Sequence, residues 1–402
     1  MTNGFSFEIT AKLDGALART GVLSTPHGQI ETPAFIPVGT KATLKSLTPE
    51  QLAATGAQAV LANAYHLYLR PGHDIIDEAG GIHAFMNWGK PTFTDSGGFQ
   101  VMSLGVGFKK VIDMTGEGDG NVTKKKDKLA WIDNDGVTFK SHLDGSRHRF
   151  TPEISMQIQH GIGADITFAF DELTTLHHDY NYQIESLDQR THPWAVRSLA
   201  EHQRLNAERA HRPPQALFGV VQGANYEDLR RKSAQFLGSM NFDGYGLGGA
   251  LEKNKIGEIV GWMCEELPEN KPRHMLGISE PDDIFACIEN GADTFDCVSP
   301  ARVGRNGALY TRHGRINITR AEFVRDFRPF DETCDCYTCQ NYSRAYLSHL
   351  FRADELLANT LATIHNERFI VRLVDDIRAS IKDGSFYTFR DAFLADYYRK
   401  QR

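Results

Sequence analysis

The sequence predicts an α/β protein built on a parallel (β/α)8 barrel, with an N-terminal antiparallel β cap and a cysteine-bearing subdomain inserted near the C-terminus. Three observations carry this reading. Eight short apolar runs recur along the chain, helix-period segments separate many of them, and 402 residues at 41% hydrophobic content can bury a core of that size.

Taken in order, residues 1–32 contain turns at Asp14-Gly15 and His27-Gly28 and read as the cap. Residues 33–329 form the barrel, with strands expected in PAFIPVGT (33–40), AVLANAY (59–65), PTFTDSGG (91–98), DITFAFDEL (165–173), ALFGVVQG (216–223), GYGLGG (244–249), RHMLGIS (273–279) and DTFDCVSP (293–300). Helical patterns lie at 192–211, 226–240 and 255–267. Residues 105–135 are polar, glycine-rich and charged, so they are expected to be a long excursion after the third strand, and Lys124-Lys125-Lys126 within it reads as a solvated run. Residues 330–365 hold the cysteine cluster, and 366–402 supply helices expected to close the barrel.

A net charge of −7 argues against binding polyanions over the whole surface, so any nucleic-acid role must rest on a local patch. The start of the chain shows neither a basic segment nor an apolar core, and no apolar run reaches bilayer length. The expectation is a soluble cytoplasmic protein. Of six cysteines, Cys334, Cys336 and Cys339 fall within six residues, a pattern that suits a metal site in a reducing compartment. Three thiolates plus an imidazole, from His349 or His365, make a closed tetrahedral zinc set and hence a structural site.

Barrel enzymes act at the C-terminal ends of their strands. There the sequence offers Asp95 after the third strand, Asp171 after the fourth, Gln222 after the fifth, Gly248-Gly249 after the sixth and Asp296 in the eighth. An Asp in such a place can also be a helix N-cap. Asp95 and Asp296 lie inside or hard against apolar runs, and several acids on one rim favour a site. Two carboxylates in different environments can divide nucleophilic and acid/base work at a sugar carbon. The remaining Asp and Gln match the donors and acceptors of a purine edge, glycines 97–98 and 248–249 admit a flat ligand, and Phe99 could stack on it. Residues 301–328 follow with seven arginines against two acids, a local patch suited to phosphates or else a solvated surface.

The motifs TDSGGFQVMSL (94–104), FDE (170–172), GVVQG (219–223), GYGLGG, FDCVSPARVGRNG and CDCYTC…SRAYLSHL…TIHN together resemble the queuine/tRNA-guanine transglycosylases of the bacterial type, over nearly the whole chain apart from 105–135. The resemblance implies a zinc-bearing barrel, usually a homodimer, that exchanges guanine at the wobble position of a tRNA anticodon for a free 7-deazaguanine base. It implies Asp296 as nucleophile on ribose C1′ and Asp95 as general acid/base. The base pocket would comprise Asp95, Ser96, Gly97, Gly98, Phe99, Asp171, Gln222 and Gly249. Zinc would be held by Cys334, Cys336, Cys339 and His365. RNA would be read by Gly277, Ile278, Ser279, Glu280, Pro281, Asp282 and Asp283, and by Ala301, Arg302, Val303, Gly304 and Arg305. The chain departs from the bacterial pattern at Ala250–Asn254, at Leu276, Ser279 and Ala301, and in the length of the 105–135 excursion. The first of these leaves the incoming base open between the aminomethyl precursor and queuine. Transfer to another nucleic acid and a non-catalytic tRNA-binding subunit are the competing readings.

Overall fold

The computed structural model describes residues 4–106 and 130–399. Lys124–Lys126 and most of the 105–135 excursion lie outside the described residues. Three antiparallel strands, β1 (Ser6–Lys12), β2 (Arg19–Thr25) and β3 (Gly28–Thr32), form the cap. Eight parallel strands follow: β4 (Ala34–Pro37), β5 (Val60–Ala62), β6 (Thr92–Thr94), β10 (Ile166–Phe168), β11 (Ala216–Val221), β12 (Gly244–Leu247), β13 (Arg273–Met275) and β14 (Thr294–Cys297). They pair in the order β4-β14-β13-β12-β11-β10-β6-β5, and a Val38–Leu61 bridge joins the two ends, so the sheet closes on itself. Each strand lies within one of the eight runs. The strands are shorter than the runs, because the apolar residues continue into buried loop segments.

Between β6 and β10 stands a three-stranded antiparallel sheet, β7 (Ala130–Asp133), β8 (Gly136–Lys140) and β9 (Arg147–Phe150), where the sequence suggested only loop through 135. The hairpin β15 (Ala308–Thr311) and β16 (Gly314–Asn317) leads to the cysteine cluster. The closing helix runs Leu356–Lys382, so one continuous helix carries His365 and the segment expected to close the barrel. Among the described residues, no helix is long and apolar enough to cross a membrane.

Aromatic side chains fill the barrel interior, and the glycines of β12 make room for them. A Cβ on Gly244 would sit 2.6 Å from the Phe218 ring, and one on Gly246 would meet Phe168 at 3.1 Å. Phe168 and Phe93 then pack against His274 of β13, beneath the barrel mouth. The helix Pro152–Ile162 starts on a Thr151 cap, whose hydroxyl accepts from Ile154 N. From it Ser155 Oγ donates to the Ser96 carbonyl at 2.7 Å and fixes the loop after β6.

Candidate active site

The upper rim is built on acids that have no lysine or arginine partner among the described residues. Asp95 follows β6, and its Oδ1 accepts from Ala64 N at 2.8 Å. Its Oδ2 accepts from Asn63 Nδ2 and, at 2.9 Å, from Gln100 Nε2. Burial pushes this carboxyl above its usual range; the three neutral donors pull it down, and the charge of Asp296 adds to the rise. Such a group can hold a proton and release it.

Asp296 lies on β14 two residues after Thr294, so both side chains face the barrel interior. Its Oδ1 accepts from Gly277 N at 3.2 Å and lies 3.0 Å from His274 Nε2. Its Oδ2 makes no hydrogen bond among the described residues.

Asp171 follows β10 and is joined to Gln222 at the end of β11, Nε2 donating to Oδ2 at 2.7 Å. Ser96 Oγ donates to Asp171 Oδ1 at 3.5 Å and accepts from Gly98 N at 3.2 Å. Burial is the main cause that raises Asp171 from 3.8 to about 6, against the Gln222 and Ser96 donors. Gln222 Oε1 is buried and has no partner among the described residues, so it can accept from a bound base. A Cβ on Gly249 (φ +94°) would lie 2.6 Å from that oxygen, and only glycine leaves the approach open. Gly97 and Phe99 complete this rim, with Phe99 half-buried near the start of the helix Gly98–Val106. The result is a slot with an acceptor pair on one side and two further carboxylates at its mouth.

Elsewhere, Cys334, Cys336, Cys339 and His365 form a group that could hold a metal ion. The three sulfurs lie 3.7, 3.6 and 3.3 Å from His365 Nδ1. A tetrahedral zinc site has S···N edges of about 3.6 Å, so the donor set fits. His365 Nε2 lies 2.7 Å from the Tyr310 carbonyl, which aims Nδ1 at the sulfurs. His349 is not part of the group, and all six cysteines are free.

His27, His83 and Asp165 also come together, at the opposite end of the barrel. Their imidazoles are stacked at 3.5 Å and 16°. Rings so nearly parallel cannot both aim a lone pair at one ion. Each instead bonds its own oxygen of Asp165, at 2.7 and 3.0 Å.

The family profile described as Queuine tRNA-ribosyltransferase matches residues 14–399. A queuine tRNA-ribosyltransferase of Thermoanaerobacter pseudethanolicus is 48% identical over 387 residues, covering 96% of this chain and 95% of that relative. Proteins of the same description from Desulforamulus reducens and Herpetosiphon aurantiacus are each 46% identical, covering 94% and 97% of this chain and 94% and 92% of those relatives. The chain belongs to the queuine tRNA-ribosyltransferase family.

Within this family member, most of the residues expected to read RNA are engaged internally. Gly277 is exposed, Ile278 and Ser279 are buried, and Glu280 pairs with Arg315. Pro281 opens the helix Pro281–Glu289, on which Asp282 accepts from Tyr398 Oη at 2.5 Å. Asp283 is buried there and raised to about 7, by burial first and then by Asp282. On the helix Ser299–Arg305, Ala301 and Gly304 are buried, and a Cβ on Gly304 would meet Asn366 Nδ2 at 3.0 Å. Val303 is half-buried, and so is Arg305, whose guanidinium burial pushes below its usual range while Glu367 opposes the fall.

The arginine-rich stretch is also less free than its local composition suggests. Arg312 pairs with Asp396, Arg315 with Glu280, Arg320 with Glu322 and Arg328 with Asp326. Acids from remote elements, invisible in a local count, absorb two of these charges. Arg302, exposed beside the mouth, makes no ion pair among the described residues.

Several residues of the site escaped the sequence reading. Asn63 and Gln100 hold Asp95, and His274 touches Asp296. Arg230 is fully buried without an acid: its Nη1 donates to the carbonyls of Val221 (3.1 Å) and Gly248 (2.7 Å), and its Nε to that of Ala224 (2.7 Å). It thereby ties together the loops that carry Gln222 and Gly249. An asparagine, a histidine and an arginine beside the strand-end motifs were the available signals.

Proposed function

We propose that the chain is a tRNA-guanine transglycosylase that replaces guanine at the anticodon wobble position with a 7-deazaguanine base. The observation that carries this is the pairing of two upper-rim carboxylates with unlike environments. Asp296 keeps one oxygen free of donors among the described residues, and Asp95, half-buried at the mouth, is raised above its usual range and so disposed to hold a proton. Asp296 attacks ribose C1′ and displaces guanine, which takes a proton from Asp95. The incoming base enters the same slot, offers its amino and ring N–H groups to Asp171 and Gln222, loses a proton to Asp95 and displaces Asp296 from C1′. Two inversions retain configuration. One glycosidic bond replaces another, so no energy-carrying cofactor takes part.

Zn2+ is the ion we assign to Cys334, Cys336, Cys339 and His365, one per subunit, in a closed site that supports the fold. Cys336→Ala should lose the metal and several kcal/mol of stability, read by metal analysis and thermal melting. Full occupancy in that variant would reject the ligand set. Free thiols and a thiolate metal site fit a cytoplasmic protein. Two exposed apolar side chains next to this region, Phe327 and Leu356, each 79% exposed, support a homodimer, testable by sedimentation.

The functional test supplies tRNA carrying labelled guanine at the wobble position, with guanine, the aminomethyl precursor or queuine as the incoming base. The proposal expects label release with at least one base and none with Asp296→Asn. Absence of release with all three would overturn it.

A further inference from the structure

A buried relay lies behind Asp296. Thr294 and Asp296 project from one face of β14, and the β13–β14 register sets His274 opposite Thr294. His274 Nδ1 is 2.9 Å from Thr294 Oγ1, and Nε2 is 3.0 Å from Asp296 Oδ1. The ring is fully buried, with Phe93 and Phe168 at centroid distances of 5.3 and 5.2 Å. The charge of Asp296 is felt by two further ionisable groups nearby, Asp95 and Cys297.

Hydrogen-bond logic fixes the tautomer. An ionised carboxylate only accepts, so Nε2 carries the proton, and Nδ1 then accepts from the Thr294 hydroxyl. Gly277 N donates to the same oxygen, Oδ1. Among the described residues, two donors therefore occupy one oxygen of Asp296 and none occupies the other.

We infer that His274 is a positioning residue that selects Oδ2 of Asp296 as the attacking atom. The inference rests on the reading of Asp296 as the nucleophile. Enclosed by aromatic rings, His274 cannot reach the substrate, so it acts only through Asp296. In the first half-reaction an Oδ2 lone pair forms the bond to C1′. The C1′–base bond breaks, its electron pair leaves with guanine, and Asp95 supplies the proton. Oδ1 becomes the carbonyl oxygen of the adduct and still accepts from His274 and Gly277. In the second half a ring nitrogen of the incoming base, its proton passing to Asp95, bonds to C1′ as the C1′–Oδ2 bond breaks; that pair returns to the carboxylate, and the charge regained on Oδ1 meets donors already in place.

The test compares His274→Phe, which fits the aromatic surroundings but has no donor, with His274→Gln, which keeps an N–H donor. Steady-state guanine exchange should fall about 10²-fold in kcat for the Phe variant, with KM for tRNA changed less than about 3-fold, and the Gln variant should recover most of the loss. Thr294→Val removes the hydroxyl that holds Nδ1 and orients the ring, and should cost a few-fold in kcat at unchanged KM, an independent readout should the Phe variant fold poorly. Full kcat in the Phe variant, or equal impairment of the Phe and Gln variants, would overturn the inference. Asp296→Asn in the same assay separates the two levels: exchange activity there defeats the nucleophile reading. An inactive Asp296→Asn beside a fully active His274→Phe defeats only the positioning role.

Discussion

At the lower rim of the barrel, Asp165 and Asp293 precede β10 and β14; at the upper rim, Asp95 and Asp171 follow β6 and β10, and Asp296 lies near the end of β14. The strand β14 carries one of each, Asp293 and Asp296, about 10 Å apart along its length. Asp293 is fully buried and takes a two-pronged bond from Arg19, at 2.9 and 2.7 Å, and another from Arg273 N at 2.8 Å. Asp165 accepts from Thr92 N at 2.9 Å and lies against two histidines. Burial opposes its charge, yet those partners hold it below the usual carboxylate range. The upper acids instead face amides, hydroxyls, backbone N–H groups and an imidazole. Both rims use the same side chain at strand ends, and the partners decide what it does. A carboxylate locked to a guanidinium holds strands together, whereas one held by neutral donors keeps an oxygen or a proton available for exchange.

Substitutions at the two rims should therefore separate activity from stability. The largest effect is expected for Asp296→Asn, a loss of about 10⁴-fold or more in base exchange with an almost unchanged melting temperature. A parallel drop in stability would place Asp296 in the same class as Asp293. Asp95→Asn should reduce turnover by about 10² to 10⁴-fold while the protein stays folded, as single-turnover kinetics would read. Arg19→Ala should do the reverse. It strands the buried Asp293 charge and should cost about 3–5 kcal/mol in denaturant unfolding, with activity per folded molecule close to wild type.

The smallest effect concerns pH. Asp171 titrates near 6 in the fold against 3.8 unperturbed. Above that value it is ionised and, in the proposed function, accepts from the base; below it that acceptor is lost, so KM for the incoming base should rise several-fold as pH drops below about 6. The sign for stability is opposite. Between about 4 and 6 the folded chain keeps a proton that the unfolded chain has lost, so this group's contribution declines as pH rises through that window. A base KM flat across this range would remove Asp171 from base recognition.

The barrel was legible because its strands, covered on both faces, read as near-continuous apolar runs. The sheet β7–β9 was not legible, since its buried apolar residues, Ala130, Val137, Phe139 and Phe150, are separated by polar ones while Trp131 and Ile132 are exposed, so no continuous apolar run marks it. At the rim, Asp95, Asp171, Gln222 and Asp296 stood out as polar residues at the ends of apolar runs. Their partners did not. Asn63 lies 32 residues before Asp95, just past the neighbouring strand β5, and His274 lies 22 before Asp296, on the neighbouring β13. Adjacency across a closed sheet is set by strand order, which no local window contains. The lower-rim acids had the same difficulty: Arg19 reaches Asp293 from the cap, 274 residues away.

The account depends on a bond between the carboxylate at the end of β14 and the RNA. Protein incubated with tRNA in the absence of any incoming base, then denatured, digested and sequenced by mass spectrometry, should yield one nucleotide-modified peptide, with the modification on Asp296. Attachment at Asp95, at Asp171 or at any other residue would contradict it.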